Sequence, residues 1–435
     1  MREIKLYFSK EKNLEDYGFI LFILGIFFLP STMLIGVLFL VPAFVIASFS
    51  GNKSYFKDYW NLPFLIFGLL ILISAISQNY LLTNKYDTIW DAKLSLIGLA
   101  NWIPLIWIFW ASQPYLNSKS KRRSFSLILV AGTFPVLITG FGQYFLNWTG
   151  PFQTLNGLII WYQRPIENPG GLTGLFSNQN YAASWLNFIW PFCLAFFIQK
   201  QNNLFKKTAS LSFLISTGLA AFLTFSRNAW LGLLTSIPIV SGRKGCKFLL
   251  PLITTTILIL FFLFSPIFDG ELQNSLRNLL PGKILLEFSN EGYEGLDVTR
   301  MEIYKSAFEL IKANPFFGIG AGSFTEIFLL NTNFWKGHSH NLLFELSISY
   351  GLPATIIFFI TVSNILYLSS KKIFSSKIKI DKNYIDRAFW AALFFFLISQ
   401  LADVQYFDGK ISLITWILIA GLKNIILDKD YKTVA

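Results

Sequence analysis

Long apolar runs recur along this 435-residue chain, and they restrict its fold more than any other feature. A helix that crosses the ~30 Å hydrocarbon core of a bilayer needs about 20 apolar residues. With 54% hydrophobic and 14% charged residues, a set of soluble domains is excluded. We predict an all-α polytopic membrane protein with about 12 transmembrane helices. The predicted spans are 17–30, 32–49, 62–80, 94–111, 124–146, 181–199, 208–225, 228–241, 248–267, 342–369, 386–404 and 411–427. The first two can also form one span bent at Pro30.

The basic residues between these runs predict the orientation of the chain. If Lys423 is counted with the C-terminal tail, 25 of the 36 Lys and Arg residues lie on one predicted side of the membrane and 11 on the other. Cytoplasmic segments carry the basic excess, so we expect both termini in the cytoplasm and no cleavable signal peptide. The net charge of +12 does not indicate nucleic-acid binding, because the basic residues are scattered between apolar runs.

Two segments on the outer side are long. Residues 147–180 are rich in Gly, Pro and Asn and are expected to fold back as a loop. Residues 268–341 form a long outer loop with a predicted helix from Thr299 to Ala313, in which Met301, Tyr304, Phe308 and Ile311 recur at helical spacing. We expect this helix to lie on the outer membrane surface over the bundle. The predicted organisation is therefore 1–180 for the first spans and outer loop, 181–267 for the central spans, 268–341 for the long loop and 342–435 for the last spans.

Both histidines of the chain lie in one short segment, where the long outer loop meets the tenth run. One interpretation is a polar turn in which Ser339 or Asn341 caps the next helix. A second takes His338 and His340 as metal ligands, but on a helix they would point about 200° apart and spacing fixes no third ligand. The third is a general base, because histidine titrates near neutrality and a helix N-terminus favours its uncharged form. His340, next to the predicted helix start, is the better placed.

Four arginines are predicted on the outer side, namely Arg164, Arg227, Arg277 and Arg300. Arg227 interrupts two apolar runs, where a charge costs about 2.5–3.5 kcal/mol at a helix centre. One interpretation is a side chain that reaches lipid phosphates, and the other is a guanidinium that binds a diphosphate. Arg300, on the predicted outer helix, is either solvated or approaches the same ligand. Glu345 and Asp403 are interpreted as partners of these arginines or as part of a proton path, with the partner role favoured.

Several stretches in this order resemble the O-antigen ligase and polymerase superfamily of polytopic membrane glycosyltransferases. They are Gly174 to Ala183 (GLFSNQNYAA), Thr224 to Leu231 (TFSRNAWL), Arg300 leading to Asn314 to Gly320 (NPFFGIG), and His340-Asn341 before Tyr350 to Pro353 (YGLP). The ligase signature has His-Asn, nine intervening residues and then Gly-x-x followed by Gly, Thr or Tyr. Gly351 satisfies the glycine, but the last position is here Ala354. The resemblance covers roughly residues 170–370.

The resemblance implies a GT-C-like fold and an inverting, metal-independent glycan transfer at the periplasmic face of the bacterial inner membrane. The donor would be a glycan on undecaprenyl diphosphate, and the acceptor a lipid A-core sugar or a growing repeat-unit chain. By position, His340 corresponds to the catalytic histidine of the family, and Arg227 and Arg300, with Arg164, to diphosphate-binding residues. Supporting roles are expected for His338, Asn341, Glu345, Asn178 and Asn180.

We expect no cofactor and no metal. The partners are membrane lipids, the lipid-linked donor and the glycan acceptor, and no nucleic acid. The ending Asp403 to Lys410 also resembles a cyanobacterial group once linked to inorganic-carbon uptake. The alternative function is therefore a transporter of a small anion or of a lipid-linked sugar.

Overall fold

The computed structural model of the chain describes residues 13–50, 55–80, 90–154, 159–163, 165–166, 170–200, 203–265, 267, 270–278, 298–375 and 383–431. Helices dominate this part of the chain. They are α1 (Leu14–Phe28), α2 (Met33–Ser50), α3 (Leu62–Tyr80), α4 (Lys93–Gly98), α5 (Ile103–Ala111), α6 (Lys119–Gly132), α7 (Phe134–Leu146), α8 (Gln179–Ile198), α9 (Leu204–Leu223), α10 (Arg227–Ser241), α11 (Arg243–Phe264), α12 (Glu271–Asn278), α13 (Arg300–Ala313), α14 (Ser323–Thr332), α15 (Leu342–Tyr350), α16 (Leu352–Ile373), α17 (Tyr384–Ser399) and α18 (Gly409–Leu427).

A short hairpin interrupts the helices. Strand β1 (Gly150–Thr154) pairs antiparallel with β2 (Ile159–Gln163), with Gly150 opposite Gln163. The segment therefore folds back on itself, as its Gly and Pro content predicts, but the strands were not foreseen.

The chain forms two compact units, each assembled from separated stretches of sequence. The first contains Met1–Gly132, Val298–Ile378 and Phe396–Ala435, and the second contains Thr133–Asp297 and Lys379–Phe395. The four-part division of the sequence at residues 180, 267 and 341 remains a prediction about membrane topology.

In the first unit, α18 is the central helix. It packs against α5 and α16, and α16 packs in turn against α3, while α1 packs against α2 and α6. Of the 18-residue apolar window of α18, 83% is buried. Trp416 on α18 donates its ring N–H to the hydroxyl of Tyr406 at 2.8 Å, and Tyr406 stacks on Trp102 with ring centroids 4.4 Å apart. These aromatic contacts fix the turn that precedes α18.

In the second unit, α8 is the central helix and packs against α9 and α10. Small residues allow the close approach, since Ala183 on α8, Ala220 and Ala221 on α9 and Ala229 on α10 belong to one buried cluster. Asn187 on α8 donates its amide N–H to the carbonyl of Asn228 at 3.0 Å, which ties the start of α10 to α8.

Seven segments of the described chain are long and apolar enough to cross a membrane. They are Leu62–Tyr80, Lys93–Ala111, Lys119–Leu146, Gln179–Ile198, Gly245–Phe264, Leu352–Ile373 and Gly409–Leu427, with Met33–Phe49 as a shorter apolar helix. The prediction of a polytopic, helical membrane protein is confirmed at this level, while the number of 12 spans remains a prediction.

The tenth predicted span, 342–369, is wrong as a single helix. The structure has two helices, α15 and α16, separated at Gly351, whose φ is +90° and ψ is 165°. Hydropathy does not detect this break because apolar residues continue through it. Glu345 therefore lies on the short helix α15, outside the segments that are long and apolar enough to span a membrane.

The predicted helix from Thr299 to Ala313 is confirmed as a helix, but its buried face differs from the predicted one. Helix α13 begins after Thr299, whose hydroxyl accepts the N–H of Glu302 in a capping box, and it ends at Ala313 before Asn314. Two residues of the predicted apolar face point outward, because Met301 is 75% exposed and Phe308 57% exposed. The buried face contains Ile303, Ala307, Leu310 and Ile311, which pack with Phe324 and Ile327 of α14 and Ile348 of α15.

Candidate active site

The two histidines lie in a loop between α14 and α15 rather than on a helix. Asn341 is the N-cap of α15, and its side-chain oxygen accepts the N–H groups of Leu343 at 2.9 Å and Phe344 at 3.3 Å. His340 precedes this cap with φ of +53°, a left-handed conformation that is uncommon outside glycine. The expected capping by Asn341 is confirmed, and His340 lies at the N-terminal end of α15.

A buried carboxylate holds this loop against its own helix. Glu345 accepts the backbone N–H of Ser339 at 2.9 Å, and the Ser339 hydroxyl donates to the carbonyl of Asn341 at 3.1 Å. Burial raises the pKa of Glu345, although the hydrogen bond from Ser339 opposes this shift. Ser339, which lies between the two histidines and has no exposed surface, thus fixes the conformation of the loop through these two hydrogen bonds.

A second turn, between α17 and α18, faces the histidine loop. The buried amide oxygen of Gln400 accepts the N–H groups of Gln405 at 2.9 Å and Tyr406 at 3.0 Å. The carbonyl of Gln400 accepts the N–H of Leu342 at 2.8 Å, and the Asn341 amide donates to the carbonyl of Leu401 at 3.1 Å. Backbone contacts therefore join the two segments directly, although they are some 60 residues apart in sequence.

Asp403 on this turn contacts both histidines. Its Oδ1 lies 2.8 Å from Nδ1 of His340 and 3.8 Å from Nε2 of His338. The two imidazole rings are 4.5 Å apart between centroids. The divergence expected of a helix does not apply, because the segment is a loop and its backbone brings the rings side by side.

The electrostatics of the group keep Asp403 charged and His338 neutral. Burial acts to raise the pKa of Asp403, but the hydrogen bond from His340 and the nearby imidazoles outweigh it and lower that pKa. Burial is also the main cause that lowers the pKa of His338 to about 4, and His340 adds to it. A charged Asp403 accepts the Nδ1–H of His340, which leaves Nε2 of His340 with its lone pair.

His338, His340 and Asp403 are close enough to hold a metal ion, with one ligand atom of each within 4.8 Å of the others. The hydrogen bonds of His338 do not fit such a site. Its Nδ1 accepts the backbone N–H of His340 at 3.1 Å, so the neutral ring carries its proton on Nε2. A metal on that nitrogen would require an imidazolate, whereas metal-binding histidines normally donate their second ring N–H. We therefore assign no metal to this cluster.

Helix α13 contacts the same loop through a tyrosine. The hydroxyl of Tyr304 lies 3.4 Å from the carbonyl oxygen of His340 and 3.3 Å from that of Leu401. Arg300, the first residue of α13, is exposed and lies one helical turn before Tyr304. The structure thus places Arg300 on the helix that contacts both segments of the candidate site.

The remaining predicted site residues belong to the second unit. Arg227 is the exposed first residue of α10, so it lies at a helix N-terminus, between the two apolar runs as predicted. Asn178 is the N-cap of α8, where its side chain accepts the N–H groups of Asn180 and Tyr181. Arg164 lies outside the described residues. Arg277 donates its Nε–H to the carbonyl of Leu263 at 2.6 Å, at the end of α11.

Sequence reasoning did not single out Gln400 and Tyr304 for the site. Asp403 was interpreted as a partner of the arginines or as part of a proton path, with the partner role favoured, whereas its carboxylate contacts both histidines. Glu345 likewise contacts the histidine loop. Since 63 residues separate His340 from Asp403, spacing provides no signal for their contact.

Comparison with known proteins bears on the segment that contains most of this site. Residues 209–359 match the family model described as O-antigen ligase, and this range includes Arg227, Arg300, His338 and His340 but not Asp403. No curated protein matches the chain. The match confirms the resemblance seen in the sequence motifs and supports a role in glycan transfer in general. Over residues 209–359, about a third of its length, the chain is similar to the O-antigen ligase family.

Proposed function

We propose that this protein transfers a glycan from undecaprenyl diphosphate to a sugar hydroxyl at the periplasmic face of the inner membrane. The acceptor is a lipid A-core sugar or the end of a growing repeat-unit chain. The transfer inverts the anomeric centre and uses no metal. In this proposal both termini lie in the cytoplasm, as the distribution of Lys and Arg predicts.

The contact between His340 and Asp403 is the observation that carries the proposal. Asp403 accepts the Nδ1–H of His340 at 2.8 Å, and the lone pair on Nε2 is then available to a proton donor. A sugar hydroxyl is a weak nucleophile at neutral pH, and a positioned base contributes about 10²–10⁴-fold in rate. As the hydroxyl attacks the anomeric carbon, its proton moves to Nε2 of His340, and Asp403 stabilises the resulting imidazolium.

The diphosphate leaving group requires positive charge, because negative charge on its oxygens grows as the glycosidic C–O bond breaks. Fixed cations aimed at these oxygens stabilise that transition state. We assign this role to Arg227 and Arg300, whose planar guanidinium groups bind phosphate oxygens in pairs. Both are exposed first residues of helices, where the peptide dipoles also favour an anion. Arg164 is assigned the same role from the sequence alone.

The proposal is tested by substitution in a host that carries no other copy of the gene. His340→Ala and Arg227→Ala are each expected to abolish glycan attachment or elongation, and Asp403→Asn to reduce the rate by about 10²-fold or more. The measurement is the length distribution and amount of surface polysaccharide on a gel, with protein levels in the membrane measured in parallel.

Glu309→Gln and Lys305→Gln serve as matched controls. Both residues are exposed on α13, and each substitution removes a charge without a contact to the histidine loop. They are expected to leave the polysaccharide unchanged. Full glycan length and amount in the His340→Ala and Arg227→Ala strains would overturn the assignment. Uptake of an anion into proteoliposomes that depends on Arg227 and not on His340 would instead identify a transporter.

A further inference from the structure

We propose that His338 is a fixed hydrogen-bond donor next to the base, and that the two histidines together recognise two neighbouring oxygens of a sugar diol. In this pair, Nε2 of His340 accepts a proton from the reacting hydroxyl, and Nε2–H of His338 donates to the oxygen beside it. The inference rests on the proposed function and extends it to the specificity for the acceptor.

The first step is the tautomer of His338. Its Nδ1 accepts the backbone N–H of His340, so that nitrogen bears no proton in the neutral ring. The proton is therefore on Nε2. The Oδ1 atom of Asp403 is 3.8 Å from this Nε2, which is too long for a hydrogen bond but electrostatically favours a proton there. The low pKa of His338 is consistent with a ring that stays neutral at physiological pH.

The second step is the opposite tautomer of His340. Its Nδ1 faces the carboxylate of Asp403 at 2.8 Å and must donate, so Nε2 has a free lone pair in the neutral ring. Among the described residues, neither Nε2 has a hydrogen-bond partner, and the two side chains remain 24% and 27% exposed. One donor and one acceptor are thus presented side by side.

The third step is the ligand chemistry that fits such a pair. A phosphate or carboxylate needs donors from both rings, and the charge of Asp403 beside them repels it. A metal ion needs lone pairs from both rings. Two adjacent hydroxyls fit, because one can donate while the other accepts. The pair therefore favours a sugar acceptor that carries an oxygen next to its reacting hydroxyl.

The tautomers are directly measurable, because the chain has only two histidines. The full-length protein, purified in detergent without a polyhistidine tag and labelled with ¹⁵N-histidine, gives ring signals from two residues alone. We expect opposite tautomers at neutral pH, with Nε2–H in His338 and Nδ1–H in His340, assigned by the loss of one set in His338→Asn. The same tautomer in both rings would overturn the inference.

The ligand class is tested in the same spectra with three probes, namely methyl α-D-glucopyranoside, inorganic phosphate and Zn²⁺. The glycoside is expected to shift the Nε2 signals of both rings, and phosphate to leave them unchanged. No shift with the glycoside up to its solubility limit, or a shift with phosphate or Zn²⁺ alone, would contradict recognition of a diol.

Two substitutions separate substrate binding from loop geometry. His338→Asn keeps an oxygen near the position of Nδ1 to accept the His340 N–H but removes the donor at Nε2. His338→Gln places an amide N–H near the position of Nε2 but removes the acceptor for the loop. We expect the initial rate of glycan attachment to fall about tenfold in the Asn variant, the value of one neutral hydrogen bond, and to be largely retained in the Gln variant.

Equal rates in the His338→Asn variant and the wild type would show that His338 makes no contact with the acceptor. A loss in His338→Gln with full activity in His338→Asn would reduce His338 to a residue that holds the loop, and equal losses in both variants would also reject the inference. Failure of the proposed function gives a different result. In that case His340→Ala retains full activity, which shows that His340 is not the base, independently of the result for His338.

Discussion

Glu345 is a carboxylate buried beneath the histidine loop, and its effect on stability depends on pH. Because its pKa is raised, the folded chain retains its proton at pH values at which the unfolded chain releases it. Its contribution to the free energy of unfolding therefore falls as pH rises from the ordinary value of 4.5 towards the raised pKa. Glu345→Gln keeps an oxygen for the Ser339 N–H and removes this dependence.

We expect the melting temperature of the wild type, relative to Glu345→Gln, to decrease as pH rises through this interval. The measurement is thermal unfolding of both proteins in detergent from acidic to neutral pH. Glu309→Gln, at an exposed position on α13, is the control and should follow the wild type. Parallel curves for wild type and Glu345→Gln would show that the buried carboxyl titrates as it does in the unfolded chain.

The sequence identifies single residues better than it identifies their contacts. His340 stands out because histidine is rare here and titrates near neutrality, and Asn341 because it precedes an apolar run. The partner of His340 was not predictable, since an aspartate 63 residues away is brought to it by a turn held by Gln400. Such a contact depends on packing between separated segments, which neither periodicity nor hydropathy encodes.

The break between α15 and α16 depends on the backbone of one glycine. The φ of +90° and ψ of 165° at Gly351 lie in a region that is essentially restricted to glycine. A Cβ at this position would also overlap the carbonyl of Phe316. The N–H of Leu352 donates to the carbonyl of Pro315 at 2.7 Å. This hydrogen bond joins the segment after α13 to the break between α15 and α16.

Gly351→Ala is therefore expected to destabilise the protein by about 1–3 kcal/mol from backbone strain alone, and further through the overlap. The melting temperature in detergent is the measurement. Gly270→Ala is the matched control, because an added Cβ there meets nothing within 4 Å. If the two variants melt alike, the two helices do not require this backbone conformation.

Helix positions were largely predictable from apolar length, whereas the break at Gly351 was not. Hydropathy averages over a window and passes through Gly351 without a signal, although Pro30 did mark the turn between α1 and α2. The capping residues Thr299 and Asn341 were better guides, because a cap is a local interaction between a side chain and the next few N–H groups. The exposed face of α13 was misassigned because Met301 and Phe308 are apolar but face outward.

Two buried ion pairs tie the ends of the first unit together. Lys423 on α18 contacts Asp58 at 2.6 Å and the side-chain oxygen of Gln113 at 2.5 Å, and Arg122 on α6 contacts Asp428 at 2.7 Å. Both basic residues are almost completely buried. These charges belong to the basic excess that predicts the cytoplasmic side, yet the structure neutralises them internally.

Removal of one member of such a pair leaves the other charge buried. We expect Lys423→Met to destabilise the protein by about 3–5 kcal/mol, and the double variant Lys423→Met with Asp58→Asn to lose less than this single variant. Lys121→Met removes a more exposed pair with Glu15 and should cost less than about 1 kcal/mol. Melting temperatures of the wild type and the three variants in detergent test this order, and a double variant that loses as much as Lys423→Met or more would refute the coupling.

The membrane class of the chain and its resemblance to a family were evident from its apolar runs and its motifs. The assembly of each unit from distant segments was not, since residues 1–132, 298–378 and 396–435 form one unit with a long stretch between them. Local patterns locate most helices and caps and contain no information on which segments associate.

The position of Asp403 limits which fragments of this protein can be exchanged with a relative. The family match ends at residue 359, so a fragment with those bounds would contain the base but not the carboxylate that orients it. An exchange of residues 209–359 with a relative would therefore place a foreign histidine loop opposite the native turn at 400–406. Chimaeras that preserve the contact need both segments from the same parent.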